Sequence, residues 1–434
     1  MREFPRIKPT KELDQICEDA LVILEGGMAR SVRRGFWSLM ATQFQTAFSD
    51  NALKNLIILL VLGSAMPLAE RNTYVALAGA LFAAPFILFS MLGGWLADRF
   101  SKQRVISSVK LAEVGIMLFA ALALAFGDVR LELVAVFLMG CHSAIFAPSK
   151  YGILPEILPH GRLSWGNGIL ELLTFLGIIF GIAASGFLAE TFAGAQGLSG
   201  LLLALLAVLG WWLSRGITPV PAANPACERR INPVTDFWAR LRLMKQDRDL
   251  WRANWGNAGF FFVAALVQMN LMIYAQDVLK LSKSHNAYLN LALALGVGFG
   301  SVAAGYASRG RIEYRLVAVG AVGLALCSLP MGLDGIGFTP FVLCLVGLGF
   351  SAGLFIVPIA AVLQHRPAPE DKGAVQGAAN VLSFVGILAA SGVQWVSFRT
   401  LDLSPGQVFW VCGACAFATG AYSAISRGKF IKPE

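Results

Sequence analysis

Charge is what this chain has least of. Asp, Glu, Lys and Arg together make up 14% of its 434 residues, against about 25% in soluble globular domains. Histidine is also scarce, with four scattered copies, and none falls in a metal-ligand spacing with cysteine or an acid. The seven cysteines show no disulfide framework. Cys412 and Cys415 form a C-x-x-C inside an apolar run with no acidic or histidine neighbour, which reads as helix packing rather than redox chemistry. No nucleophile elbow or phosphate loop occurs. These absences argue against an enzyme, a cofactor and a resident metal. No soluble basic domain is present either, so the net charge of +9 does not indicate nucleic-acid binding.

What fills the chain instead is apolar sequence, 56% of all residues. It falls into twelve stretches near 36–62, 73–96, 105–126, 131–150, 165–190, 197–214, 251–276, 287–307, 315–334, 339–363, 373–398 and 405–426. A helix crosses ~30 Å of hydrocarbon in about 20 residues, whereas a barrel strand needs ~10 alternating ones. The expectation is an all-α membrane protein with twelve transmembrane helices. An even number of crossings puts both termini on one side, and Lys and Arg on that side total 29 against 5 on the other (Arg71, Arg130, Lys280, Lys283, Arg399), with Lys54 inside a span. Basic residues accumulate on the cytoplasmic side, so both termini are expected there. Residues 1–34 are charged throughout and lack the apolar core of a cleavable signal. Leu13, Ile16, Cys17, Leu21 and Leu24 are spaced for one face of a short interfacial helix.

A polar segment, 215–250, contains Pro219, Pro221, Pro225 and Pro233 and divides the spans six and six. The expected organisation is an N-terminal half at 35–214, a cytoplasmic central loop at 215–250, a C-terminal half at 251–426 and a tail at 427–434. The halves repeat. Gly94 in GGWLADRFSKQR matches Gly305 in GYASRGR at an offset of 211, and Pro148 matches Pro358 at 210. The pair Asn167 and Glu171 matches Gln376 and Asn380 at 209. Three agreeing offsets indicate two pseudo-symmetric six-helix halves, an architecture that holds substrate between them near the bilayer midplane.

The run between the second and third spans resembles the signature of the major facilitator superfamily, G-x-L-A-D-R-x-G-R-[KR]-x. Gly94, Leu96, Ala97, Asp98, Arg99, Lys102 and Arg104 fit, and Ser101 stands where the signature has glycine. Physically this is a latch. An acid at a helix end binds the positive N-terminus of a helix in the other half, and basic neighbours, here Arg99, Lys102 and Arg104 with Arg309 and Arg311 in the second copy, are expected to pair with carboxylates across the seam. Such contacts hold one state of a rocking cycle. The competing explanation is plain topology, basic residues in a cytoplasmic loop.

A narrower likeness rests on FSDNALKN (48–55), APSKYGILPEI (147–157), GNGILE (166–171) and VPIAAVLQ (357–364). Together these resemble the bacterial lysophospholipid transporter family, and Lys54 resembles the version fused to an acyltransferase. The resemblance implies inward flipping of lysophospholipids such as lysophosphatidylethanolamine across the bacterial inner membrane by a monomer without cofactor, and re-acylation by a cytoplasmic acyltransferase/acyl-ACP synthetase. Family members carry a basic residue in the seventh helix, where this chain offers only Gln268 and Asn270 at the core.

The residues themselves suit that task. A charge at the centre of a membrane helix costs roughly 2.5–3.5 kcal/mol even on lenient scales and is functional by default. Asp50 and Lys54 are therefore read as part of a polar translocation path, with Asn51 and Asn55 beside them. A closed i,i+4 ion pair between Asp50 and Lys54 stays open. Lys150 and Tyr151 follow Pro148 and are candidates to draw in a phosphate, or a snorkelling anchor. Asn167, Glu171 and Gln364 complete the expected path. Glu171 is either a gate residue or a helix-end acid paired with Lys150 or Arg162. His142 reads as a packed histidine before a proton relay, and Glu113 as a local partner of Lys110. Two other classes remain: a proton-coupled antiporter or importer of a soluble amphiphile, with Asp50 or Glu171 carrying the proton, and a non-transporting membrane scaffold or receptor.

Overall fold

The computed structural model describes residues 11–228, 232–281, 283–333 and 335–423. Among them the regular elements are helices. Six make up the first half: α1 (Lys11–Gly63), α2 (Leu68–Arg99), α3 (Lys102–Phe126), α4 (Val129–Ile157), α5 (Leu163–Thr191) and α6 (Gly197–Ser214). Helix α7 (Pro233–Gln246) lies in the connecting segment. The second half holds α8 (Arg248–Asp277), α9 (Lys283–Ala307), α10 (Arg315–Met331), α11 (Phe338–His365), α12 (Lys372–Arg399) and α13 (Pro405–Ser423). Ten of these contain a segment long and apolar enough to cross a membrane. Helix α10, with 17 residues, and α13, with 19, complete twelve. The backbone of α1 runs unbroken from the N-terminal segment into its span, Val32–Gly63. The side chains expected to form an interfacial face, Leu13 to Leu24, lie outside the described residues, as does the tail after Ser423.

The packing repeats between halves. In the first, α1 packs on α5 and α6, α2 on α4, and α3 on α4 and α6. In the second, α8 packs on α12 and α13, α9 on α11, and α10 on α11 and α13. Helix α13 thus occupies the place of α6. Pro148 falls inside α4 and Pro358 inside its counterpart α11, where each removes one backbone hydrogen bond and permits a bend. The small-residue ladders work within the halves. A Cβ on Gly181 of α5 would lie 2.4 Å from Phe48 O of α1, and one on Gly300 of α9 would lie 2.0 Å from Phe350 O of α11. Small residues let membrane helices approach this closely.

Two seams join the halves, α2 with α12 and α5 with α9. The end of the bundle that holds the α2–α3 turn, α7 and the start of α12 is here called the basic face. The connecting segment is not all loop. Pro233 starts α7, with Asn232 as N-cap accepting from Val234 N (2.9 Å) and Thr235 N (3.3 Å). Proline is favoured at a first helical position, so this proline marks a helix start rather than loop. Arg240 of α7 pairs with Asp236 at 3.4 Å and with Asp371, next to the start of α12.

Candidate functional site

At the basic face the halves meet through backbone and amide groups. Asp98, at the end of α2, accepts hydrogen bonds from Gly373 N (2.6 Å) and Ala374 N (2.7 Å), the first turn of α12. A carboxylate on a helix N-terminus gains from both the free N–H groups and the helix dipole. The approach requires Gly94 and Gly373, because a Cβ on either would fall within 2.6 Å of the other's carbonyl oxygen. The signature's basic residues do not cross the seam, contrary to expectation. Lys102 is fully buried and pairs with Glu156 of its own half at 2.6 Å. Arg99 donates to Cys227 O in the connecting segment at 2.5 Å, and Arg104 is exposed. In the second copy Arg309 is exposed at φ 45°. Arg311 lies 3.6 Å from Glu313, and its carbonyl accepts from Ser164 Oγ across the seam at 3.4 Å. For two of them the reason is local: Lys102 is taken up by Glu156 of its own half and Arg99 by the connecting segment.

Deeper in, Asn167 of α5 and Gln364 of α11 face each other. Asn167 Nδ2 donates to Gln364 Oε1 (2.9 Å) and Gln364 Nε2 donates to Asn167 Oδ1 (2.8 Å). This reciprocal amide pair is buried and joins the halves. On it rests a small cavity, about 50 Å³, lined by α4, α5, α8, α11 and α12. Its polar wall is Tyr151, Glu171, Asn257, Gln364, Gln376, Asn380 and Ser383. Tyr151 OH donates to Glu171 Oε1 at 3.2 Å, and Lys150 Nζ lies 4.2 Å from the centre of the Tyr151 ring. Asn257 Nδ2 donates to Ser383 Oγ (2.7 Å), and Asn380 Nδ2 donates to Ser90 Oγ of the other half (2.7 Å). Phe86 and Phe384 stack across the seam, centroids 4.0 Å apart. The six hydrogen bonds described above that join the halves lie between the basic face and this depth.

Four of the expected path residues gather here: Tyr151, Glu171 and Gln364 on the wall, and Asn167 beneath. Lys150 stands behind Tyr151. Glu171 pairs with neither Lys150 nor Arg162 but receives the Tyr151 hydroxyl. Asp50, Asn51 and Lys54 are elsewhere, and the continuous path expected from Asp50 to Lys150 is corrected accordingly. Asp50 turns toward α4, and both its oxygens accept from Ser143 Oγ (2.8 and 2.7 Å). Among the described residues no ion pair joins it to Lys54. Lys54 Nζ sits 3.5 Å from Asn51 Oδ1 and 4.8 Å from the Phe82 ring centre. Asn51 and Asn55 donate to carbonyls of their own helix, Ala47 O (2.9 Å) and Asn51 O (2.8 Å).

Behind Asp50 lies a cluster in which the sequence showed only a local pair. Lys110 and Glu113 of α3 are fully buried and in contact. Lys110 also donates to Gln45 Oε1 and to Thr46 Oγ1 (3.1 Å). Gln45 Nε2 donates to Glu113 Oε1 (3.0 Å), and His142 Nε2 lies 3.2 Å from Glu113 Oε2. Lys110, counted above with the cytoplasmic basic residues, is thus an interior residue: α3 starts at Lys102, so position 110 is more than two turns in. The seventh span also differs. Gln268 is exposed and Asn270 donates to Pro405 O (2.8 Å), while the cavity amide is Asn257 and Asn254 is fully buried. The signal for Asn257 was an isolated amide inside an apolar run, overlooked because it lies near the start of the span.

Two six-helix halves with a polar cavity between them make up the architecture of a membrane transporter. The chain belongs to the major facilitator superfamily: the model of that family matches residues 38–391. It is a multi-pass membrane protein. It is similar to the lysophospholipid transporter LplT of Cronobacter sakazakii, 29% identical over 340 residues covering 77% of this chain and 81% of that one. LplT of Yersinia pestis is 26% identical over 347 residues, covering 77% and 79%. The fold is similar to the human organic anion transporter MFSD10 (TM-score 0.77, 14% identity, 90% of this chain and 99% of that chain). It is also similar to the transporter FucP in its outward conformation (TM-score 0.70, 13% identity, 91% and 99%).

Proposed function

We propose that this protein moves lysophospholipids from the outer to the inner leaflet of a bacterial inner membrane by alternating access, with the basic face and both termini cytoplasmic. The observation that carries the reading is the cavity between the halves, with Glu171 and Tyr151 on its wall, Lys150 behind the Tyr151 ring and the Asn167–Gln364 amide pair beneath. A lysophosphatidylethanolamine head offers a phosphate for Lys150 and an ammonium for Glu171. Its single tail is held in the bilayer by ~0.8 kcal/mol per CH₂, so the head alone needs a protein path. The names of the relatives support the same substrate class. Asn257, Gln376, Asn380 and Ser383 supply neutral partners on the opposite wall.

Asp98 of α2, bound to the N-terminus of α12, and the Asn167–Gln364 pair act as the latch and gate that hold the basic face shut. Rocking the halves breaks them and opens the cavity inward. Lys54, half-buried beside Asn51, is the cation nearest to Asp50 in sequence and supplies an earlier station for the phosphate. The carrier works as a monomer without cofactor, and its product suits a cytoplasmic acyltransferase/acyl-ACP synthetase.

The test is labelled lysophospholipid crossing leaflets in vesicles that contain the purified protein. Acceleration over empty vesicles is expected, and its absence sinks the reading. Asp50→Asn and Lys150→Ala are each expected to lower the rate while leaving the protein folded. If both keep the wild-type rate, the roles given to them are wrong.

A further inference from the structure

The cluster behind Asp50 has a fixed part and an adjustable part. The fixed part is Lys110 with Glu113. The three ammonium protons of Lys110 go to Gln45, Thr46 and Glu113, and Glu113 also accepts from Gln45. One positive and one negative charge cancel there, with their hydrogen-bonding capacity largely used. The adjustable part is Asp50, Ser143 and His142. Asp50 is held by the Ser143 hydroxyl alone, and His142 Nδ1 lies 3.4 Å from that same hydroxyl oxygen. His142 Nε2 lies 3.2 Å from Glu113 Oε2, so a ring proton on Nε2 would be turned toward an acceptor and leave Nδ1 facing the Ser143 hydroxyl. The His142 and Glu113 side chains are fully buried, and Asp50 is buried with 9% of its surface left exposed.

The charged groups around His142 come from four helices: Asp50 and Lys54 on α1, Lys110 and Glu113 on α3, Lys150 and Tyr151 on α4 itself, and Glu171 on α5. Helices α2 and α12, also packed on α4, carry their charges only at their ends (Glu70, Arg71, Asp98, Arg99; Lys372, Arg399). Helix α11 has only His365, at its terminus. Lys110 pairs with Glu113, and Lys150 lies near Glu171 behind the Tyr151 ring; the remaining acid, Asp50, interacts with Lys54 only over a longer range. That lysine is turned away, toward Asn51 and the Phe82 ring.

We propose that His142 is a proton-binding site linked to the charge of the lipid head: an anionic head that engages Lys54 cancels a positive charge one helical turn from Asp50, and the protein takes up one proton. A hydronium ion from bulk solution protonates the Asp50 carboxylate and leaves as water. That carboxyl gives its proton to Ser143 Oγ as the original Ser143 proton moves to His142 Nδ1. Asp50 is again a carboxylate, Ser143 again a hydroxyl, and His142 an imidazolium between Asp50 and Glu113. Transport of an anionic lysophospholipid is then coupled to one proton, and transport of a zwitterionic one, which brings its own cation, is not. The lipid-linked part rests on the substrate class proposed above, and the proton site does not.

Two measurements test it on the full chain. In weakly buffered detergent solution, lysophosphatidylglycerol binding, followed by tryptophan fluorescence, should take up about one proton per molecule bound in the wild type. None is expected in His142→Gln, and none in the wild type with lysophosphatidylcholine. Binding of lysophosphatidylglycerol without proton uptake, or equal uptake in His142→Gln, overturns the proposal. Without lipid, NMR of histidine-labelled protein at pH 7 reads His142 directly, its signal assigned by its loss in His142→Gln. The imidazolium fraction should rise at least about twofold in Lys54→Gln and fall comparably in Asp50→Asn, since a nearby charge biases protonation by this much or more. No change in either variant overturns the proton site. If neither lipid binds while the histidine signal responds as expected, the substrate reading and the lipid-linked part fail, and the proton site stands.

Discussion

The two halves share a packing plan but not an interior. The N-terminal half encloses Asp50, Lys110, Glu113 and His142 in one hydrogen-bonded cluster and places Lys150 and Glu171 beside the cavity. The C-terminal half offers amides and hydroxyls in the equivalent space: Asn254, Asn257, Gln376, Asn380 and Ser383. Duplication preserved the helices, while the chemistry was assigned to one side. A charge inside a membrane protein is stable only when its partners are fixed. The charged half therefore has to be a rigid body, and the neutral half can rearrange around a passing head at lower cost.

The largest expected way to break this contrast is Lys110→Met. It leaves Glu113 buried without its cation, and removing one partner of a buried pair costs about 3–5 kcal/mol. Thermal unfolding of the purified variant should show a large drop, which the double variant Lys110→Met with Glu113→Gln largely restores. Asp98→Asn comes next. It keeps the shape but removes the charge on the α12 N-terminus, a loss of about 1.5–3 kcal/mol for a charged hydrogen bond. Labelling of a cysteine placed at the basic face should speed up as that face opens.

Asn167→Ala and Gln364→Ala each orphan a buried amide, at about 1–3 kcal/mol apiece. The two together should cost less than their sum, by roughly 0.5–3 kcal/mol, because they are direct partners. Full additivity in thermal unfolding would mean that they do not act as a pair. The smallest effect is expected from Asn257→Ala in the neutral half, near 1 kcal/mol for one ordinary hydrogen bond to Ser383. Its flipping rate should fall less than that of Lys150→Ala, and a larger fall would reverse the assignment of chemistry to the charged half.

Much of the fold was legible. Apolar run lengths fix membrane helices because the bilayer sets one length scale. The repeat was visible because Gly94, Pro148 and Asn167 mark backbone constraints that side-chain drift leaves alone. Asp98 was legible through its motif and its place at a helix end. The partners of the basic residues were not. Lys102 and Arg99 satisfy themselves within reach of their own half, and nothing in the spacing distinguishes Glu156 from Asp371 as the acceptor. Lys110 was counted with the cytoplasmic basic residues although it falls inside the apolar stretch at 105–126, and α3 has already begun at Lys102.

Sequence by itself determined that this is a twelve-helix membrane protein in two related halves with charge in places where charge is expensive. Those are properties of single segments against a fixed solvent. Only the tertiary structure decided which charges meet. Asp50 and Ser143 are 93 residues apart, and Asn167 and Gln364 are 197 apart. Whether an intramembrane acid faces a lysine one turn away or a serine on another helix depends on how that helix is rotated in the bundle. That rotation is set by close-packed small residues along its whole length, and no local pattern contains it.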